Sequence, residues 1–505
     1  MTVNRSHTLL DLLQVAHDDC TGVIVPELGI HVSYGSLRKQ VVAMADALAA
    51  AGIRQGDRVA IALPNGLPAI VSFLAASIAG TAAPLNPAYP YEEFFFFLAD
   101  TAARILLCPP AGAEYARSAA ADRGIPVLSV EMTDDGTVHL PDGPKGISAT
   151  PPSPEDVALI LHTSGSTGRP KRVPLLHSHL TISAGNIVKT YALSPEDVSL
   201  CIMPLFHVHG LVASTLAPLL SGGTIVAPTK FNPLAFWRSV REHRVSWYSG
   251  VPTMHHLLLT RTRGGRPADA GTLRFIRSAS APMPPELIHK MEEVFQVPLV
   301  EAYGMTEAAH QMSSNPLPPG HRKADSVGVA TGISISVMDE RGTHLEPDQR
   351  GEVVIQGPSV FGGYENNPEA NAKALVGGWF RTGDQGFLDA NGYLHLTGRI
   401  KDLIIRGGEK VAPREVDEVL LKHPAVSEAV TFGFAHPILG EEVAAAVVLH
   451  IPESETETAL LKYCRERLAE FKCPKKLYFV ESIPTTATGK IRRRAVADAL
   501  LEGQG

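Results

Sequence analysis

An α/β fold in two unequal parts is predicted: a large N-terminal domain of several sheet-and-helix subdomains and a small α+β C-terminal domain. Three observations predict it. At 505 residues the chain exceeds what one ordinary core holds. Its first third alternates strand and helix patterns: the apolar run Val59 to Leu63 passes through Pro64-Asn65-Gly66 into an apolar helix ending near Ile78. Such alternation packs helices against a sheet. After Arg399 the pattern turns compact, with a helix over Pro413–Leu421, a strand over Ala444–Leu449 and a helix over Glu457–Phe471.

The intervening elements follow in order. Phe94 to Phe97 read as the core-facing side of a helix, because an exposed patch that apolar would invite aggregation. Residues 133–156 are rich in Gly, Pro, Ser and Asp and read as a surface connection. Val157 to Leu161 form an apolar strand that runs into a hydroxyl-rich loop. Further strands cover Gly351–Ile355 and Leu394–Leu403, with Asn391-Gly392 as a hairpin signal.

Bulk properties exclude several classes. A formal net charge of -7 argues against non-specific nucleic-acid binding. The five cysteines (Cys20, Cys108, Cys201, Cys464, Cys473) form no CxxC pair, so reduced thiols are expected rather than disulfides or a zinc site. No apolar run approaches the length of a membrane span, and Met1 to Leu13 lacks the apolar core of a leader. The last residues are not a peroxisomal address, and a cytoplasmic location is expected.

The loop after the apolar strand reads Thr163-Ser164-Gly165-Ser166-Thr167-Gly168-Arg169-Pro170-Lys171. Its glycines permit tight turns, so successive N–H groups can point at phosphate oxygens. Hydroxyls add donors and Lys171 adds positive charge. The order is not that of a Walker loop, GxxxxGK followed by Ser or Thr. A plain Ser/Gly turn is the alternative, and the preceding strand and the Pro-Lys ending weigh against it.

Four more segments follow: Glu301-Ala302-Tyr303-Gly304-Met305-Thr306-Glu307, Trp379-Phe380-Arg381-Thr382-Gly383-Asp384, Gly398-Arg399-Ile400-Lys401-Asp402 and Thr486-Ala487-Thr488-Gly489-Lys490. Together with the loop they resemble, from about Val25 to Arg494, the adenylate-forming superfamily of acyl-CoA synthetases, peptide-synthetase adenylation domains and luciferases. The resemblance implies an ATP-dependent ligase that makes an acyl-AMP and passes the acyl group to coenzyme A. It places the loop on the ATP phosphates and Ser280-Ala281-Pro282 along adenine. Glu301, Ala302, Tyr303 and Gly304 join the nucleotide site, with Tyr303 stacked on the base and Thr306 on phosphate. Glu307 would hold Mg²⁺, with Thr167 as a second contact; a hard cation needs a carboxylate oxygen and keeps several waters. Asp384 falls on the ribose hydroxyls, and Arg399 on ribose or phosphate. Each has a plain alternative as a turn or surface residue.

Lys490 is the expected catalytic lysine. It precedes a basic run (Arg492 to Arg494) that would ordinarily be solvated. Yet carboxylate attack on the α-phosphate brings two anions together, and a positioned ammonium lowers that barrier. The resemblance makes 399–402 a hinge centred on Lys401, between an ATP- and acid-binding domain (1–398) and a mobile domain (403–505). Rotation would withdraw Lys490 and bring Gly407, Gly408 and Glu409 to line the pantetheine tunnel. Exposure of Lys490 would also suit a lysine acyltransferase as a regulatory partner. One residue departs from the family pattern: Arg172 stands where Gly usually follows Pro-Lys.

The acid pocket is read from four windows that carry His207, His209, His255, His256, Arg277, Ser278, Ser280, His310, Ser313 and Ser314. Such polarity suits a small polar acid better than a long apolar tail, because unpaired buried polar groups are costly. The stretches Phe206-His207-Val208-His209-Gly210-Leu211, Phe275-Ile276-Arg277-Ser278-Ala279-Ser280-Ala281, Met312-Ser313-Ser314-Asn315-Pro316-Leu317-Pro318 and Arg406-Gly407-Gly408-Glu409-Lys410 resemble the oxalate–CoA ligases of plants and yeast. His207, Ser280 and His310 are the expected donors to a second carboxylate. A medium-chain or aryl acyl-CoA synthetase is the alternative within the class, and a non-catalytic nucleotide-binding module the alternative outside it.

Overall fold

The computed structural model describes residues 7–163, 170–262, 264–486 and 491–502. Two largely parallel sheets form the body. In a nine-stranded sheet the strands Val198–Leu200, Trp247–Gly250, Phe275–Ser278 and Leu299–Met305 are successive parallel neighbours. The sheet continues antiparallel into His310–Ser314. A six-stranded sheet contains the parallel strands Arg58–Ile61, Thr81–Pro84 and Ala103–Cys108, with Val157–Thr163 parallel to Thr81–Pro84 and antiparallel to Lys171–Leu176. Parallel strands are covered on both faces and so read as continuous apolar runs. Trp247–Gly250 is buried at every position for this reason.

The helix Leu67–Ala79 belongs to the core between these layers, and of its residues only Pro68 is not buried. A helix apolar all round has no solvent face to present. In the helix Tyr91–Asp100, Phe94 and Phe97 are buried while Phe96 reaches solvent, so the phenylalanine run is only partly core. Residues 133–156 form turns around a short hairpin.

An antiparallel sheet carries Gly351–Gln356, Trp379–Leu388 and Leu394–Arg399. A further sheet, separate from it, holds Ile404–Arg406, Glu409–Val411, Val426–His436, Gly440–Leu449 and Lys476–Phe479 around its own core. The helices Pro413–Leu421 and Glu457–Arg465 cover one face of that sheet. The second helix is shorter than its pattern predicts: a short 3₁₀ turn, Glu470–Lys472, follows, and the Cys473 thiol donates to the carbonyls of Leu468 and Ala469. The fold class is the predicted one.

Candidate active site

Ligands of open α/β sheets bind beyond the carboxyl ends of the strands. Here those ends come from both large sheets. Leu299–Met305 delivers Thr306 and Glu307 in a 3₁₀ turn, and Val157–Thr163 delivers Thr163. The Thr163 hydroxyl donates to Glu307 Oε1 at 3.4 Å, and the Tyr364 hydroxyl donates to the same oxygen at 2.9 Å. The Lys171 ammonium lies 4.6 Å from the centre of the Tyr364 ring, a cation–π distance. Glu307 is buried, and its carboxylate accepts from both of these hydroxyls. Ser164, Gly165, Ser166, Thr167 and Gly168 lie outside the described residues, as does Lys490.

Gly304 has a steric reason. A Cβ there would come within 1.9 Å of the His310 carbonyl oxygen, where the strands Leu299–Met305 and His310–Ser314 shift register. Only glycine lets the two backbones meet, and the meeting brings Tyr303 and His310 to the same end of the sheet. Glu301 is buried beneath and accepts a hydrogen bond from the Met283 N–H at 3.2 Å. Burial pushes its carboxyl up to about 7, partly offset by Arg414. Ala302 is buried beside it, Ala281 is half-buried and Pro282 is exposed.

The antiparallel sheet supplies the opposite wall. Asp384 and Arg399 are cross-strand partners, with Arg399 Nε 2.8 Å from Asp384 Oδ1. The Tyr303 hydroxyl donates to the other carboxylate oxygen, and burial together with Asp384 raises the Tyr303 phenol well above its ordinary range. Tyr303 and Asp384 thus meet across two sheets.

The acid windows converge in part. His209 Nδ1 lies 2.9 Å from Ser280 Oγ, and the His209 and His310 rings stack with centroids 5.1 Å apart. Ser280 takes a left-handed φ of 74°, which marks the loop as strained in favour of one arrangement. His207 is half-buried and flanks a cavity of about 40 Å³ whose wall also includes Leu85, Tyr89, Phe206 and Thr306. Burial holds the His209 imidazole well below its ordinary range, with His310 and Arg277 adding to the effect.

Other polar residues in those windows are structural. His256 is exposed. His255 is buried behind Gly250, with Tyr248 3.3 Å away. The Ser313 hydroxyl donates to the Val327 carbonyl, and Ser314 hydrogen-bonds Tyr191.

Lys401 is exposed in the 3₁₀ turn Ile400–Asp402. Gly407 and Gly408, with φ of 59° and 90°, make the two-residue turn between Ile404–Arg406 and Glu409–Val411. That turn and Glu409 are exposed, and Lys410 reaches back to Glu340 at 2.8 Å. Arg172 is not a loosened loop residue. It pairs with Glu365 at 3.0 Å and donates to the Asp100 carbonyl, tying the strand after the phosphate loop to two other segments. Tyr364 was not foreseeable: a lone tyrosine in a Gly-rich stretch carries no pattern that points at Glu307.

These sheets, meeting at Glu307 and Asp384, match known proteins throughout. The chain belongs to the AMP-binding enzyme family, whose model matches residues 15–365, with the model of the AMP-binding enzyme C-terminal domain matching 415–490. Within that family it is an acid–CoA ligase, an acyl-CoA synthetase that uses ATP and coenzyme A. It is similar to oxalate–CoA ligase of Arabidopsis thaliana, 44% identical over 462 residues with 90% of each chain covered. It is likewise similar to oxalate–CoA ligase of Saccharomyces cerevisiae, 41% identical over 95% of this chain and 94% of that one. ATP-bound MatB of Rhodopseudomonas palustris superposes with a TM-score of 0.91 at 31% identity, covering 99% of this chain and 100% of that one.

Proposed function

We propose that the acid activated by this ligase is oxalate or another small dicarboxylate. The observation that carries the reading is the convergence of His209, Ser280 and His310 into one hydrogen-bonded, ring-stacked group where an acyl chain would need apolar walls. The oxalate–CoA ligase relatives support it. His207, Ser280 and His310 would donate to the second carboxylate, each charge-assisted bond contributing roughly 1.5–3 kcal/mol.

In the first step an oxygen of the other carboxylate attacks the α-phosphorus, and the bond to the bridging oxygen breaks to release pyrophosphate. Lys490 would stabilise the charge on the attacking and α-phosphate oxygens. Asp384 suits a vicinal diol, so the ribose would displace Tyr303 and Arg399 from its oxygens. The loop from Thr163 to Lys171, with Thr306, would hold the phosphates, and Ser280 to Pro282 and Glu301 to Gly304 would frame the base. Glu307, and Thr167 as a second contact, would hold Mg²⁺, for which a carboxylate oxygen is a suitable hard ligand. When bound, that ion would neutralise phosphate charge. In the second step the CoA thiolate attacks the acyl carbon and AMP leaves.

We divide the chain at a 399–402 hinge, with 1–398 binding ATP and acid and 403–505 rotating to bring Gly407, Gly408 and Glu409 to the pantetheine. No helix among the described residues is long and apolar enough to cross a membrane. Five free cysteines, four of them buried, support a reducing, cytoplasmic setting. Pyrophosphate release with oxalate, malonate, acetate, octanoate and 4-coumarate tests the substrate. Oxalate or malonate should lead; equal or better turnover of octanoate removes the reading.

A further inference from the structure

Behind the His209–Ser280–His310 group sits Arg277, a fully buried guanidinium on the strand Phe275–Ser278. All its hydrogen bonds go to neutral groups. Nη1 donates to Ser249 Oγ at 2.9 Å and approaches His209 Nε2 at 3.3 Å. Nη2 donates to His310 Nε2 at 3.0 Å and to Gln311 Oε1 at 3.0 Å. Nε donates to the Tyr191 hydroxyl at 3.0 Å. Among the described residues no Asp or Glu forms an ion pair with it. A buried charge without a counter-ion is expensive, and structures keep one where an opposite charge arrives with a ligand.

The guanidinium also dictates proton positions, because it donates only and never accepts. His310 Nε2 must therefore present its lone pair, and the ring's proton lies on Nδ1. Ser249, which accepts from Arg277, turns its own O–H to His209 Nε2 at 2.6 Å. His209 then carries its proton on Nδ1 and donates to Ser280 Oγ, which directs the Ser280 hydroxyl proton elsewhere.

We propose that Arg277 is the specificity-determining residue of the acid pocket: its charge balances the substrate's second carboxylate, and its hydrogen bonds fix both imidazoles in the tautomers that make Ser280 and His310 donors toward that carboxylate. This rests on the dicarboxylate reading above. A neutral acid, or one with an apolar tail, leaves the Arg277 charge uncompensated, so the pocket selects against it as well as for oxalate.

Gln311→Glu tests this with little change of shape, since it sets a carboxylate against the guanidinium that Gln311 already accepts from. Pyrophosphate release is followed with oxalate and with glycolate, which replaces the second carboxylate by a hydroxymethyl group. In Gln311→Glu the oxalate KM should rise about tenfold or more with kcat little changed, because uniform binding is lost, and the glycolate KM should move far less. Arg277→Lys, which keeps charge but not the fork, should retain more of the oxalate-to-glycolate preference than Arg277→Gln. ATP binding by each variant reports on folding. An oxalate-to-glycolate ratio that is unchanged in Gln311→Glu, or equal in Arg277→Lys and Arg277→Gln, overturns the proposal. A wild-type enzyme that favours octanoate instead sinks the dicarboxylate reading, before any variant is made.

Discussion

Single side chains have to manage the charge in this chemistry. Two anions meet at the α-phosphate, and the compensating positive charge is the role proposed for Lys490. Replacing Lys490 by Ala should slow adenylation by on the order of 10² to 10³, the scale of losing one preorganised donor. Thioester formation from supplied acyl-adenylate should survive, and equal loss of both half-reactions would refute the role. Acetylating Lys490 removes the same charge, so stoichiometrically acetylated protein should show the same selective loss in a pyrophosphate-release assay. Asp384 and Glu307 were singled out through the motifs that carry the family resemblance, where a carboxylate suits a vicinal diol and a hard cation. Tyr364 was not, because its part is to orient Glu307 by one hydrogen bond, and many residue types could stand in a Gly-rich loop.

Elements set where those residues can go. The turn Ile400–Asp402, proposed above as the hinge, is short, and Ile400 and Lys401 in it are exposed, so its backbone suits the absorption of a rotation. Lys401→Pro should spare pyrophosphate release and stop CoA transfer, which paired half-reaction assays read directly; loss of both steps would mean a folding defect instead. The strand Lys171–Leu176 is anchored differently. Arg172 joins it to Glu365, which Arg58 also contacts. Arg172→Ala should lower stability by about 1.5–3 kcal/mol, the scale of a charge-assisted hydrogen bond, seen as a lower urea midpoint. The neighbouring strand Val157–Thr163 was readable from its apolar run. The end of the helix Glu457–Arg465 was not, because the apolar pattern runs on to Phe471 while the backbone turns into the 3₁₀ turn Glu470–Lys472.

At the scale of the molecule, Glu301 couples the two parts of the chain. It lies buried in the large domain, yet Arg414 of the small one lowers its proton affinity. Its folded pKa is about 7 against 4.5 for a free carboxyl. Between those values the folded state holds the proton and the unfolded state does not. Its stabilising contribution is therefore full below pH 4.5, declines as pH rises, and is gone above about 7. Glu301→Gln keeps the acceptor for Met283 and removes the ionisation. It should exceed wild type in stability at pH 8, by at most about 3 kcal/mol, and match it near pH 4.5. Urea melts at both values check this, and a difference independent of pH would contradict it.

The amino-acid sequence by itself determined the class of reaction and the kind of fold. The apolar runs of the parallel strands are local features that follow from residue chemistry alone, and the class of reaction follows from the five ordered segments that carry the family resemblance. Only the tertiary structure brought together the polar residues proposed to form the acid pocket. Tyr191, His209, Ser249, Arg277, His310 and Gln311 are far apart in the chain and meet around one buried charge. His256 and Ser313 looked equivalent to them in the sequence and point to other tasks. The field in a pocket, and the proton positions it imposes, sum over neighbours that only packing brings together.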